Sequence, residues 1–179
     1  MKKLCLILIA MFFAGSMNGQ ISYLQYRHVP ADQDAKFLER ETKHWSKVAK
    51  SAIEKGQMKS WSLWKKVGIT NADEFTPNYV FVNTFENLDK MDLDKVWSDN
   101  MDAIGDVKME DIETSSFTTT TFDCFIQSED HVAGDYKYAL VNYAKPIDIT
   151  AFMQENKTLW KPVHEANVSN ILNNMTYWG

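Results

Sequence analysis

The chain has 179 residues, 45% of them hydrophobic and 13% aromatic, and carries a formal net charge of −5. An acidic chain without a basic run repels phosphate backbones, so nucleic acid is excluded as an expected partner. No His/Cys cluster has zinc spacing, no Gly-rich loop suits a phosphate and no Gly-x-Ser-x-Gly elbow appears, so neither metal nor cofactor is expected.

Residues 1–19 are expected to be a signal peptide. Lys2 and Lys3 supply the positive start, Leu4 to Phe13 the apolar stretch, and Ala14, Gly15, Ser16 and Gly19 the small residues of a cleavage region. Cleavage after Ser16 or just before Gln20 satisfies that pattern equally. The apolar run is too short for a stable bilayer anchor. Export to the periplasm or beyond follows, with no membrane association after cleavage. Loss of Lys2 and Lys3 makes the remaining chain still more acidic. Cys124 is then the only cysteine left, which rules out an internal disulfide.

ISYLQYRH, from Ile21, is rich in β-forming residues and is closed by Pro30, so it predicts a first strand. A helix is expected from about Asp32 to Lys55. Its Phe37, Leu38, Trp45, Val48, Ala49, Ala52 and Ile53 recur at three- and four-residue spacing, and Gly56 is its natural stop. MKSWSLWKKV predicts a second strand and YVFVNTFEN a third. The third places Val80, Val82 and Thr84 on one face and Tyr79, Phe81, Asn83 and Phe85 on the other. A helical pattern over 87–104 is interspersed with aspartates, which lack the glycine of a calcium loop and read as a solvated face. SFTTTTFDCFIQ predicts a fourth strand, giving the order βαββαβ for residues 20–128.

After a polar linker the pattern restarts. KYALVNYAKP predicts a strand ended by Pro146, a helix is expected from about Asp148, and MTYWG begins another aromatic strand. Phe152, Trp160 and Val163 stand at one constant offset from Phe37, Trp45 and Val48. Asn142 stands at the same offset from Arg27. The reading is an internal duplication, with residues 135–179 forming a second, truncated repeat.

The strand–helix order and the landmarks Tyr143, Pro146, Phe152, Trp160-Lys-Pro-Val-His164 resemble the dimeric α/β-barrel superfamily, with its EthD-like, NIPSNAP-like and antibiotic-biosynthesis-monooxygenase-like members. The resemblance implies an α+β fold of tandem ferredoxin-like repeats. Their antiparallel sheets would close face to face into a barrel, either within one chain or as a homodimer. The first repeat departs from the pattern: Ala49 stands where the second has His164, and His44 lies beside Trp45 instead.

With Val80 and Val82 expected against the helices, Arg27, Tyr79, Phe81, Asn83 and Asn142 would point into the barrel. They either line a small-molecule pocket or plug it. His164 is the one catalytic candidate, since histidine titrates near neutrality; the alternative is a packing histidine between Val163 and Val168. The favoured function is an exported barrel protein that binds a small apolar or aromatic molecule. The alternatives are a cofactor-independent monooxygenase-like enzyme and a structural or assembly module without a ligand.

Overall fold

The computed structural model describes residues 19–68, 76–134 and 136–168. The expected signal peptide, apart from Gly19, and the expected strand at 175–178 lie outside them. The chain divides into two compact units, one ending at Gln127 and the other starting at Ser128.

The first unit is built on four strands: β1 (Ile21–His28), β2 (Ser60–Lys65), β3 (Tyr79–Phe85) and β4 (Thr119–Gln127). Their order across the sheet is β2-β3-β1-β4, with every neighbouring pair antiparallel. Helix α1 (34–54) follows β1. It consists of α-helical Asp34–Arg40, a π-helical turn Glu41–Trp45 and α-helical Ser46–Glu54. Gly56 ends it in the left-handed conformation at φ 72°, a position where a side chain would be strained.

Between β3 and β4 the expected single helix is a series of short pieces. These are 3-10 turns at Leu88–Lys90 and Met101–Ile104 and the helices α2 (Leu93–Ser98) and α3 (Met109–Ile112). The reason is local. Asn87 accepts a hydrogen bond from the Lys90 amide and Asp92 from the Lys95 amide, so side chains that cap new turns compete with continuation of one helix.

The core lies between α1 and one face of the sheet. Phe37 is buried against Tyr79 at 4.7 Å between ring centroids, with Val29 completing the group. Further along α1, Ala52 meets Phe85, Met58 and Val96. On its outer side Val48 packs with Ile104 and Ile112, and Trp45 donates its indole N–H to the Ile112 carbonyl at 2.9 Å. Burying each such side chain contributes about 1.5–3 kcal/mol.

These contacts correct the expected orientation of β3. Tyr79, Phe81, Asn83 and Phe85 face the helices, and Val80, Val82 and Thr84 face away. Both faces of this strand are rich in apolar residues, so alternation alone does not say which one meets the helix. The small Ala52 on α1 leaves room for Phe85, while Tyr79 and Phe81 pack on Phe37.

In the second unit a helix, α4 (149–167), again consists of three parts: Ile149–Glu155, a π-helical turn Asn156–Trp160, and Lys161–Asn167. Each part begins at the same offset from its counterpart in α1. Asp148 caps it by accepting from the Ala151 amide at 2.9 Å. Pro162 stands just after the π segment, inside α4, where its missing N–H removes one backbone hydrogen bond. The strand expected from KYALVNYAKP is not formed, and residues 138–146 are irregular chain without ladder partners among the described residues. An isolated strand lacks neighbours to satisfy its backbone.

Candidate functional site

The polar groups of the first unit gather on the helix-facing side of β1, β3 and β4. In the α1 stripe one turn after Phe37 comes Glu41, the first residue of the π turn, only 4% exposed. Its Oε1 accepts from the Thr114 hydroxyl at 2.8 Å. Burial pushes its carboxyl up to about 7, against the opposing pulls of the Thr114 hydrogen bond and the Arg27 charge. A proton therefore exchanges on this group at neutral pH, a property of many functional carboxyls.

Arg27 on β1 donates from Nη1 to Asp123 Oδ1 at 2.7 Å and to its neighbour's carbonyl, Tyr26, at 3.0 Å. The other oxygen of Asp123 accepts from the Tyr23 hydroxyl at 2.7 Å. Burial and then Asp123 push the Tyr23 phenol up. Asn83 on β3, 1% exposed, donates to the Tyr23 carbonyl and to Gln25 Oε1, both at 3.1 Å. Its Oδ1, Thr121 Oγ1 and His44 Nδ1 are buried without a hydrogen-bond partner in the structure. Such groups cost about 1–3 kcal/mol each when left dry. The cluster thus combines one cation, two acids, a phenol and two amides.

Of the residues expected to enter the barrel, Arg27, Tyr79, Phe81 and Asn83 do share one side of the sheet, but it is the helix side. Tyr79 is fully buried and donates to Asp34 Oδ1 at 2.7 Å, so burial followed by Asp34 raises its phenol strongly. Phe81 lies edge-on to Phe37 at 6.0 Å. Tyr79 and Phe81 are thus packing residues. Asn142 and His164 belong to the second unit. Asn142 is exposed in irregular chain, and the His164 ring lies 6.5 Å from that of Trp160 in a near-parallel arrangement.

Glu41 and Asp123 were not singled out by the sequence reading. The signal for Glu41 was present: it occupies the stripe position between Phe37 and Trp45 where an apolar residue belongs.

A second feature is an open cavity of about 420 Å³ at the end of the sheet where β1 leads into α1, lined by His28, Val29, Ala31, Asp34, Lys65, Lys66 and Asn78. Its charges are largely paired internally. Lys65 bonds Asp34 at 2.8 Å, and the Lys66 ammonium sits 5.9 Å from the Tyr26 ring centroid. Among the described residues no group of three or more His, Cys, Asp or Glu is placed to hold a metal ion, and no helix is long and apolar enough to cross a membrane.

An antiparallel β2-β3-β1-β4 sheet with α1 on one face is a recognised arrangement. The first unit has the ferredoxin-like fold. No family model and no curated protein matches the chain. A solved dimeric ferredoxin-like protein of unknown function from Thermobifida fusca YX is similar at 11% identity and a TM-score of 0.36, over 62% of this chain and 90% of that one.

Proposed function

We propose that this is an exported protein of tandem ferredoxin-like repeats that binds a small apolar or aromatic molecule against the sheet face turned away from α1. One observation carries the reading: the make-up of that face. Cross-strand pairing sets Leu24 beside Val82 and Cys124, and Tyr26 beside Val80 and Phe122. Trp64 pairs with Val80 on the next strand. The Tyr26 and Phe122 rings stack at 4.1 Å between centroids. Its polar members include Ser22, Ser60, Ser62 and Thr84, and Ser22 and Thr84 already bond each other at 2.9 Å. An apolar, aromatic surface with a few hydroxyl groups suits a ligand held by burial and stacking.

The repeat reading rests on the matching π-helical turns of α1 and α4, ending at Trp45 and Trp160. Export rests on Lys2, Lys3 and the apolar run after them. Closure of such faces into a barrel, within one chain or between two, would shield the ligand from water.

The test is native mass spectrometry of the protein purified from its own secretions, followed by binding of the fluorescent probe 1-anilinonaphthalene-8-sulfonate. Released mass on denaturation, or saturable probe binding weakened by Val82→Glu, supports the reading. Saturable binding unchanged by Val82→Glu and by Tyr26→Ala, or no binding at all, overturns it.

A further inference from the structure

Glu41 is buried where α1 meets the chain between α3 and β4. Its carboxyl accepts one hydrogen bond, from the neutral Thr114 hydroxyl at 2.8 Å. The nearby cations are engaged elsewhere. Arg27 on β1 is bound to Asp123, and Arg40, the residue before Glu41, to the carbonyl and carboxylate of Glu113. A carboxylate taken out of water needs a paired cation or several donors. One hydroxyl is enough only for the neutral acid, so the site is shaped for the protonated form.

The segment that contacts Glu41 is lightly held. Residues 113–117 have no fully buried member. Their ties to α1 are mostly polar: Thr114 to Glu41, Glu113 to Arg40, and the Phe117 ring against the Lys36 ammonium at 4.6 Å and the Arg40 guanidinium at 5.6 Å. Phe117 adds an apolar contact with the group of Val29, Phe37 and Tyr79. Glu113 braces the segment internally by accepting from Ser115 and Ser116, so it can move as a unit. The residue before it is firmly placed: Ile112 is fully buried and its carbonyl accepts from Trp45. Segments with few buried apolar contacts open before the core does.

We infer that residues 113–117 are a pH-sensitive strap, closed on α1 while Glu41 carries its proton and released when Glu41 ionises. Loss of the proton leaves a charge in an apolar setting, and displacing Thr114 admits water to it. The surrounding groups fix the direction. Arg27 pulls Glu41 toward the charged form, but Asp123 on β4 already bonds that guanidinium; Arg40 and Glu113 hold each other; His44 lies in the same π turn. Burial outweighs Arg27 and Thr114, so the closed carboxyl titrates at about 7 against 4.5 when hydrated. The released form therefore gains as pH rises, and its ratio to the closed form should grow roughly 70-fold between pH 5 and pH 8. The strap lies on the helix side of the first unit, so it is independent of a ligand on the opposite face.

A nitroxide on Ser115→Cys, with Cys5 and Cys124 changed to Ser, reads the strap directly, because Ser115 is exposed. Its electron paramagnetic resonance spectrum should gain a mobile component reversibly between pH 5 and pH 8. Glu41→Gln should keep the immobile spectrum throughout, and His44→Gln should respond as the wild type does. A nitroxide on Lys50→Cys, on the exposed side of α1, should not change. No mobile component at pH 8 overturns the inference. So does a gain that Glu41→Gln retains, one that His44→Gln abolishes, or one that the label at position 50 shares, since that would be unfolding of the whole unit.

Discussion

Glu41→Gln is the most informative single change in the first unit. Glutamine keeps the length of the side chain and an oxygen able to accept from Thr114, but it never carries a charge. Burial raises the Glu41 carboxyl from 4.5 in the ordinary case to about 7. The folded protein therefore holds a proton there more tightly than the unfolded chain does. The cost of ionising the buried group is absent below about pH 4.5, grows between that pH and about 7, and is constant above. At about 1.4 kcal/mol per pH unit the gap amounts to roughly 3 kcal/mol, most of which falls between pH 5 and pH 8. Urea unfolding followed by tryptophan fluorescence at those two pH values measures it. Wild type and Glu41→Gln should be similar at pH 5, and the variant should be more stable by about 2–3 kcal/mol at pH 8. Asp34 and Glu113, whose carboxyls hydrogen bonds hold below the usual range, are present in both proteins and cancel. Identical pH dependence in the two proteins would refute the burial argument.

Three further outcomes follow from the same structure. Asp123→Asn removes the charge that both Tyr23 and Arg27 bond; it should cost about 1–3 kcal/mol in urea unfolding and lower the Tyr23 titration midpoint read at 295 nm. Ala52→Leu forces a larger side chain against Met58, Phe85 and Val96 and should cost about 1–3 kcal/mol, seen as a lower Tm. Gly56→Ala meets no atom within 4 Å but sits at φ 72°, so its loss of about 1 kcal/mol comes from the backbone alone, and Gly56→Asn should lose less.

Much of the fold was legible because its signals are local. The period of the α1 stripe, the alternation of the strands and the glycine at 56 each predict an element from a few neighbouring residues. What failed depended on partners elsewhere in the chain. The faces of β3 were assigned the wrong way round, since valines and aromatics are equally apolar and the partners that separate them, Phe37 for Tyr79 and Phe81 and Ala52 for Phe85, lie on another element. KYALVNYAKP has the composition of a strand but no strand to pair with among the described residues. The helical pattern over 87–104 was read correctly in kind, yet Asn87 and Asp92 cap within it and divide it. At the candidate site, Arg27 and Asn83 were picked out as polar residues on strands. Glu41 escaped because a lone charged residue within an apolar stripe was not weighed as buried, although its position between Phe37 and Trp45 requires it.

The π-helical turn in α1 has a consequence for how this helix tolerates change. A π turn holds more residues than an α turn, so it acts as a phase shifter between two lengths of ordinary helix. Phe37, ahead of it, is in phase with the Tyr79 end of the sheet, while Val48 and Ala52, behind it, are set by the packing at the other end. Deleting one residue from 41–45 would restore an uninterrupted α-helix and improve every local hydrogen bond. Because the π turn already absorbs one residue beyond the α count, that deletion would leave Val48 and Ala52 close to their present face relative to Phe37, whereas a deletion in either flanking α-helical part would turn them by about 100°. The turn is thus the part of α1 where a one-residue deletion disturbs the phase least, provided that Glu41 and Trp45, which bond Thr114 and the Ile112 carbonyl, keep their places.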